Sequence, residues 1–121
     1  KIITSDIDPE AVKLAEVNIP GEFNTIITPG TADFFSLLPD ILDNKKTLIV
    51  LNPPYGKRLK EKNIMSFFKE IGVKLKSDFN HCGYAVITPG MEEEQALALD
   101  YNRKIPFMNG GIRAAVIFRD A

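Results

Sequence analysis

The chain has 121 residues, 45% of them hydrophobic, and a formal net charge of −1. This size and composition fit one domain with a buried core, and the charge excludes a globally basic nucleic-acid binder. One cysteine permits no internal disulfide, and no apolar run approaches the roughly 20 residues that cross a bilayer. We therefore expect a cytoplasmic protein without a membrane segment. His81 has no partner at metal-ligand spacing, so we expect no metal site.

The first predicted element is a strand over residues 1–6, which ends in the carboxylate of Asp6. Asp8 is a predicted N-cap and Pro9 a predicted first helical residue, and the helix should end at residues 19–21. An acidic residue at the tip of a strand is well placed to accept hydrogen bonds from ribose hydroxyls. A solvated loop carboxylate is the alternative explanation for Asp6 taken alone.

A second predicted strand covers residues 25–28 and leads through Pro29-Gly30 to Asp33 and Phe34. Asp33 could accept a hydrogen bond from an adenine amino group while Phe34 packs on the ring. Taken singly, the phenylalanine is more typical of a protein core, and the aspartate of a turn or a cap.

A third predicted strand, over residues 47–51, runs directly into Asn52-Pro53-Pro54-Tyr55. The amine of a nucleobase is a poor nucleophile because its lone pair is delocalised into the ring. Hydrogen-bond acceptors that hold both N–H groups favour a tetrahedral nitrogen, whose lone pair is available for methylation. The Asn52 side chain and the Pro53 carbonyl could be those acceptors. Consecutive prolines fix the loop, and Tyr55 offers a flat face for the base. A simple turn that closes a buried strand is the alternative for this tetrapeptide alone.

The cations Lys57, Arg58 and Lys60 follow this tetrapeptide and could meet phosphates, although a solvated helix face would look the same. Further on, an i, i+3, i+4, i+7 stripe predicts a helix with a buried face: Ile64, Phe67, Phe68, Ile71 and Leu75. We expect both phenylalanines in the core. Next come a strand over 83–88, a helix over 91–99, and two antiparallel strands over 103–108 and 112–120 around Asn109-Gly110-Gly111. This alternation predicts an α/β fold with a mostly parallel sheet and a final hairpin.

The order of these features resembles the class I S-adenosylmethionine-dependent methyltransferases of the amino-methylating group. More narrowly, residues 52–59 and 103–113 are similar to the bacterial THUMP-domain RNA guanine-N2 methyltransferases, often labelled N6-adenine-specific DNA methylases. The resemblance covers essentially the whole chain and implies a Rossmann-like fold. It also implies that S-adenosylmethionine is the cofactor and that Asn52 to Tyr55 hold the target base. The residues it implies for cofactor binding are Asp6, Ile7, Asp33, Phe34 and Asn52.

The family's glycine-rich loop and first central strand lie before the acidic residue that Asp6 matches, and the chain has no Gly-x-Gly segment. The resemblance therefore implies the C-terminal part of one catalytic domain, without the loop or the THUMP domain and inactive alone. A sheet without its central strand exposes two strand edges, so we expect association, for example as a homo-oligomer.

We expect methyl transfer from S-adenosylmethionine to a nucleobase amine, with guanine N2 of ribosomal RNA as the first candidate. Adenine-N6 methylation of DNA or RNA is an alternative because the same tetrapeptide can hold either amine. A non-catalytic α/β module that binds RNA or a protein is the alternative from another class.

Overall fold

The computed structural model describes residues 1–43, 45–55 and 61–121. The described strands form two sheets, and the chain divides into two compact units, Lys1–Ile41 and Leu42–Ala121, each with its own sheet. Parallel and antiparallel strand pairs both occur, together with three α-helices among the described residues. The predicted α/β fold with a C-terminal antiparallel hairpin is confirmed.

The first unit contains strand β1 (Ile2–Asp6), helix α1 (Pro9–Asn18) and strand β2 (Ile27–Thr31). The two strands are parallel, in a register that runs from Ile2 opposite Ile27 to Asp6 opposite Thr31. Local signals set the start of α1 as predicted. Asp8 has extended backbone angles, its side chain accepts a hydrogen bond from the Glu10 N–H at 2.9 Å, and Pro9 is in the first turn.

The predicted bounds of β2 were wrong. A short 3₁₀ turn over Gly21–Phe23 and a bond from the Ile26 N–H to the Phe23 carbonyl keep residues 24–26 out of the strand. The strand instead continues through Pro29 and Gly30, which the sequence had suggested as a break. Proline is tolerated there because β2 has β1 as its partner in a two-stranded sheet and therefore lies at an edge.

The second unit contains a four-stranded sheet in the order β3-β4-β6-β5 and two helices. Its elements are β3 (Leu48–Leu51), α2 (Glu61–Ser77), β4 (Gly83–Thr88), α3 (Met91–Leu97), β5 (Arg103–Asn109) and β6 (Ile112–Arg119). Strand β3 is parallel to β4, and β6 is antiparallel to both β4 and β5. Helix α3 ends two residues before the predicted residue 99 because Ala98 adopts a left-handed conformation, with φ of 48°.

The core of this unit combines one face of α2 with alternate residues of the sheet. Phe68, Ile71 and Leu75 are buried as the stripe predicts, whereas Ile64 and Phe67 are only half-buried, so the core position expected for Phe67 was wrong. Phe67 stands edge-on to the ring of Phe68, with centroids 6.1 Å apart, at the margin of that face. The alternate buried residues of the sheet are Tyr84, Val86 and Thr88 of β4 and Ala115 and Ile117 of β6, and Gly83 and Ala114 are buried beside them.

Helices α2 and α3 cross at very close range. A Cβ atom built on Gly72 would lie 1.9 Å from the carbonyl oxygen of Leu97. Only a residue without a side chain fits at this crossing, and the Leu97 side chain beside it is fully buried.

Candidate functional site

The first group of predicted site residues lies at the carboxyl edge of the two-stranded sheet. Because β1 and β2 are parallel, both strands end at this edge, with Asp6 opposite Thr31. The Ala32 N–H then donates to the Asp6 carbonyl at 3.0 Å, which extends the pairing past the end of β2. This arrangement brings Asp6 and Ile7 together with the segment that holds Asp33 and Phe34.

Asp6 is exposed, and its carboxylate is oriented by its own chain. The Asp8 N–H donates to Asp6 Oδ1 at 2.8 Å. That bond uses one of the roughly four lone-pair positions of a carboxylate, so Asp6 can also accept hydrogen bonds from the hydroxyls of a ligand. The next side chain, Ile7, is 69% exposed and offers an apolar surface beside the carboxylate.

Asp33 and Phe34 are both half-buried. Asp33 is the N-cap of a 3₁₀ turn over Phe34–Ser36, and its Oδ1 accepts a hydrogen bond from the Phe35 N–H at 3.0 Å. The sequence left this cap role open as an alternative, and the structure shows it. The Phe34 ring packs edge-on against Phe35, with centroids 5.5 Å apart. A cap bond to one oxygen leaves the second oxygen of Asp33 able to accept from an amino group.

The second group of predicted site residues follows β3 directly. Asn52 is exposed, Pro53 is buried, Pro54 is exposed and Tyr55 is half-buried. The buried Pro53 ring anchors the segment, and the fixed φ of each proline limits its conformations. The Asn52 amide is therefore accessible on a segment of restricted shape, as a group that receives a ligand must be.

Tyr55 is tied to the hairpin of β5 and β6. The side-chain amide of Asn109, the last residue of β5, donates a hydrogen bond to the Tyr55 hydroxyl. Gly110 and Gly111 follow at φ of 57° and 83°, the sign pattern of a type I′ turn. The sequence predicted the turn and missed this contact. The two residues are 54 positions apart, and Asn-Gly-Gly signals only a turn.

Three further predicted positions, Lys57, Arg58 and Lys60, lie outside the described residues. Cys82 is buried, and burial raises the pKa of its thiol, opposed by the nearby charge of Arg119. A protonated thiol is a weak nucleophile.

Across residues 1–43, 45–55 and 61–121, no three His, Cys, Asp or Glu side chains are grouped so that they could hold a metal ion. In the same part of the chain, no helix has both the length and the apolar character that a membrane span requires.

Comparisons with known sequences give a consistent family. A model of the UPF0020 family, described as an RMKL-like methyltransferase domain, matches residues 1–116. Ribosomal RNA large subunit methyltransferase K/L of Acinetobacter baumannii strain AYE is 31% identical over 123 residues, covering 98% of this chain and 17% of that protein. The protein of the same name from Shewanella loihica is 27% identical over 117 residues, covering 95% of this chain and 16% of its own length. The chain thus spans about one-sixth of these relatives.

Solved structures share the fold. SMU.472, described as a candidate methyltransferase and complexed with SAH, superposes with a TM-score of 0.80 at 20% identity, over 100% of this chain and 32% of that one. A Listeria monocytogenes protein described as a predicted N6-adenine-specific DNA methylase gives a TM-score of 0.71 at 20% identity, over 98% and 30% of the two chains. The METTL16 methyltransferase domain gives 0.66 at 17% identity, over 97% and 61%.

Proposed function

Because the chain belongs to the UPF0020 family of RMKL-like methyltransferase domains, we propose that it is part of an enzyme that methylates the exocyclic amine of a nucleobase. The observation that carries the proposal is the exposed Asn52 amide between the end of β3 and the buried Pro53. The relatives named as ribosomal RNA large subunit methyltransferases favour ribosomal RNA as the substrate, and the resemblance of residues 52–59 and 103–113 favours guanine N2 as the acceptor.

In this proposal Asn52 and Pro53 act on the nitrogen that receives the methyl group. The Asn52 side-chain oxygen and the Pro53 carbonyl oxygen each accept a hydrogen bond from one N–H group of the amine. Holding both hydrogens directs the nitrogen lone pair out of the ring system and toward the incoming carbon. Pro54 keeps the loop in this shape, so the acceptors are in place before the base arrives.

Tyr55 stacks on the same base. Stacking of a base on an aromatic side chain contributes roughly 1–3 kcal/mol, and every base has a suitable face. A base inside a helix would first have to rotate out of its stack. The half-buried position of Tyr55 leaves part of the ring accessible for this contact.

The proposed cofactor is S-adenosylmethionine, which supplies a methyl group on a positively charged sulfur. The residues at the edge of the first sheet fit it. The exposed Asp6 carboxylate can accept from ribose hydroxyls, and Ile7, 69% exposed, can pack against the adenine ring. Asp33 can accept from the adenine amine while Phe34 contacts the ring. The SAH complex of the SMU.472 structure, which has the same fold, supports this choice of cofactor.

Lys57, Arg58 and Lys60 are proposed to bind the nucleic-acid backbone. They follow Tyr55 within five positions of the sequence. Each neutralised phosphate of a single strand changes the slope of log affinity against log salt by roughly 0.7. Replacement of all three by alanine should therefore flatten that slope by roughly 2.

The decisive experiment is mass spectrometry of nucleosides after reaction of the intact protein, S-adenosylmethionine and unmodified ribosomal RNA. We expect N2-methylguanosine. N6-methyladenosine would instead support the second candidate function, which the tetrapeptide itself allows because it can hold either amine. Failure to form any amino-methylated nucleoside would contradict the proposal.

A further inference from the structure

We infer that Asn109 is a positioning residue that holds the Tyr55 ring ready for the acceptor base. The inference rests on the proposed function, since it takes base stacking as the role of Tyr55. Its basis is the hydrogen bond from the Asn109 side-chain amide to the Tyr55 hydroxyl, which joins the segment after β3 to the tip of the β5–β6 hairpin.

The hairpin gives Asn109 a fixed position. Strands β5 and β6 pair over seven positions, from Arg103 opposite Phe118 to Asn109 opposite Ile112. The turn between them has two residues, both at positive φ, which glycine adopts without a steric penalty. Asn109 is therefore held by backbone pairing on one side and by a tight turn on the other.

Tyr55 needs such a support at the far end of its ring. The chain fixes its Cα, because Pro54 precedes it and Pro53 is buried. Without a partner at the hydroxyl, the half-buried ring could rotate about its Cα–Cβ bond. The hydrogen bond from Asn109 holds the far end of the side chain in one orientation, so the ring loses less conformational freedom when a base stacks on it.

The hydrogen bond between Asn109 and Tyr55 contributes little to the stability of the fold. It lies at the protein surface, and the sheet beside it is already held by backbone hydrogen bonds between β5 and β6. A neutral hydrogen bond of this kind adds little to stability, whereas its loss releases the side chain proposed to stack on the base. Its effect should therefore be visible on Tyr55 and on substrate binding.

The test uses the intact protein with ¹³C-labelled tyrosine rings, with the Tyr55 signal assigned by its loss in Tyr55→Phe. We expect Asn109→Ala to shift the Tyr55 signal and leave those of Tyr84 and Tyr101 in place. Met108→Ala is the matched control, because Met108 is the neighbouring residue of β5, is 62% exposed and lies outside the proposed site. It should leave the Tyr55 signal unchanged. An unchanged Tyr55 signal in Asn109→Ala would overturn the inference.

Kinetics provide the second readout. Asn109→Ala should lower kcat/KM for the nucleic acid by roughly 2- to 10-fold, the range for loss of one neutral hydrogen bond, without changing KM for S-adenosylmethionine. In a Tyr55→Phe background, which lacks the hydroxyl, Asn109→Ala should cause no further loss. Fully additive losses would show that Asn109 acts through another route. A wild-type protein that forms no amino-methylated nucleoside would contradict the proposed function itself, while the Tyr55 signal would still report whether Asn109 holds the ring.

Discussion

Leu51 of β3 lies opposite Val86 of β4, and this is the last pair in the parallel register of the two strands. Val86 is fully buried, so the end of β3 is anchored to the interior of the sheet. Asn52 comes next in the chain and is followed by the buried Pro53. An exposed amide thus sits between two fixed residues, and its position is set by the sheet rather than by the ligand.

Asn52→Ala should nearly abolish methyl transfer by the intact protein. Loss of one positioned hydrogen-bonding group at a reacting centre reduces kcat by roughly 10²- to 10³-fold, and we expect a loss of at least that order. S-adenosylmethionine binding, measured by calorimetry, should change little. Asn63→Ala is the matched control, because Asn63 is an exposed asparagine on α2. Normal turnover by Asn52→Ala would remove Asn52 from the site.

Tyr55→Ala should weaken binding of an RNA that carries the target base by roughly 5- to 150-fold, the equivalent of one lost stacking contact. The same substitution should have little effect on an RNA with an abasic nucleotide at that position, because no ring is present to stack. Fluorescence anisotropy of the two RNAs measures the difference. Equal losses for both RNAs would indicate that Tyr55 contacts the backbone instead.

Short-range signals explain why much of the fold could be predicted. Asp8 and Pro9 determine the start of α1 through a side-chain cap and a fixed φ. Both effects depend only on neighbouring residues, so the sequence is enough to predict them. Gly110 and Gly111 determine the hairpin turn in the same local way. The end of β2 could not be predicted, because Pro29 breaks a strand in most settings and is tolerated only where a strand lies at an edge. Edge position is a property of the assembled sheet.

In the candidate site, too, some features follow from local sequence and others depend on the assembled sheet. Asp6 and the end of β2 share an edge because parallel strands end on the same side of a sheet, and Asp33 follows two residues after β2. The link between Tyr55 and Asn109 depends on how far the hairpin extends past its neighbours in the sheet. Its two residues are 54 positions apart and carry no mutual signal in the sequence.

Gly72→Ala should reduce the free energy of unfolding by about 1–3 kcal/mol, the usual cost of overpacking. The new methyl group would meet the backbone of Leu97, with its carbonyl oxygen 1.9 Å and its carbonyl carbon 2.8 Å away, so α3 would have to shift. Gly21→Ala is the control, because nothing lies within 4 Å of a Cβ there. Denaturant unfolding of both variants measures the effect. A Gly72→Ala protein as stable as Gly21→Ala would disprove the close crossing of α2 and α3.

Glu94 of α3 joins the helix to the segment around β5 through two hydrogen bonds. Lys104 Nζ lies 2.6 Å from Glu94 Oε2, and the Tyr101 hydroxyl donates to Oε1 at 2.6 Å. Burial raises the pKa of Glu94, but the bonds from Lys104 and Tyr101 together outweigh it and hold the pKa below the ordinary value of 4.5. The carboxylate is therefore more acidic in the folded chain than in the unfolded chain.

The sign of this shift predicts an acid-dependent loss of stability. A group whose pKa is lower in the folded state stabilises the protein above its unfolded pKa, and this contribution disappears as the pH falls through the folded value. Glu94→Gln should therefore lower the unfolding free energy at pH 7 and reduce its decline below about pH 4.5. Glu92→Gln removes the same charge from the same turn of α3 at an exposed position and is the matched control. Denaturant unfolding between pH 3 and pH 7 compares the two variants, and identical pH profiles would show that the contacts of Glu94 contribute nothing to stability.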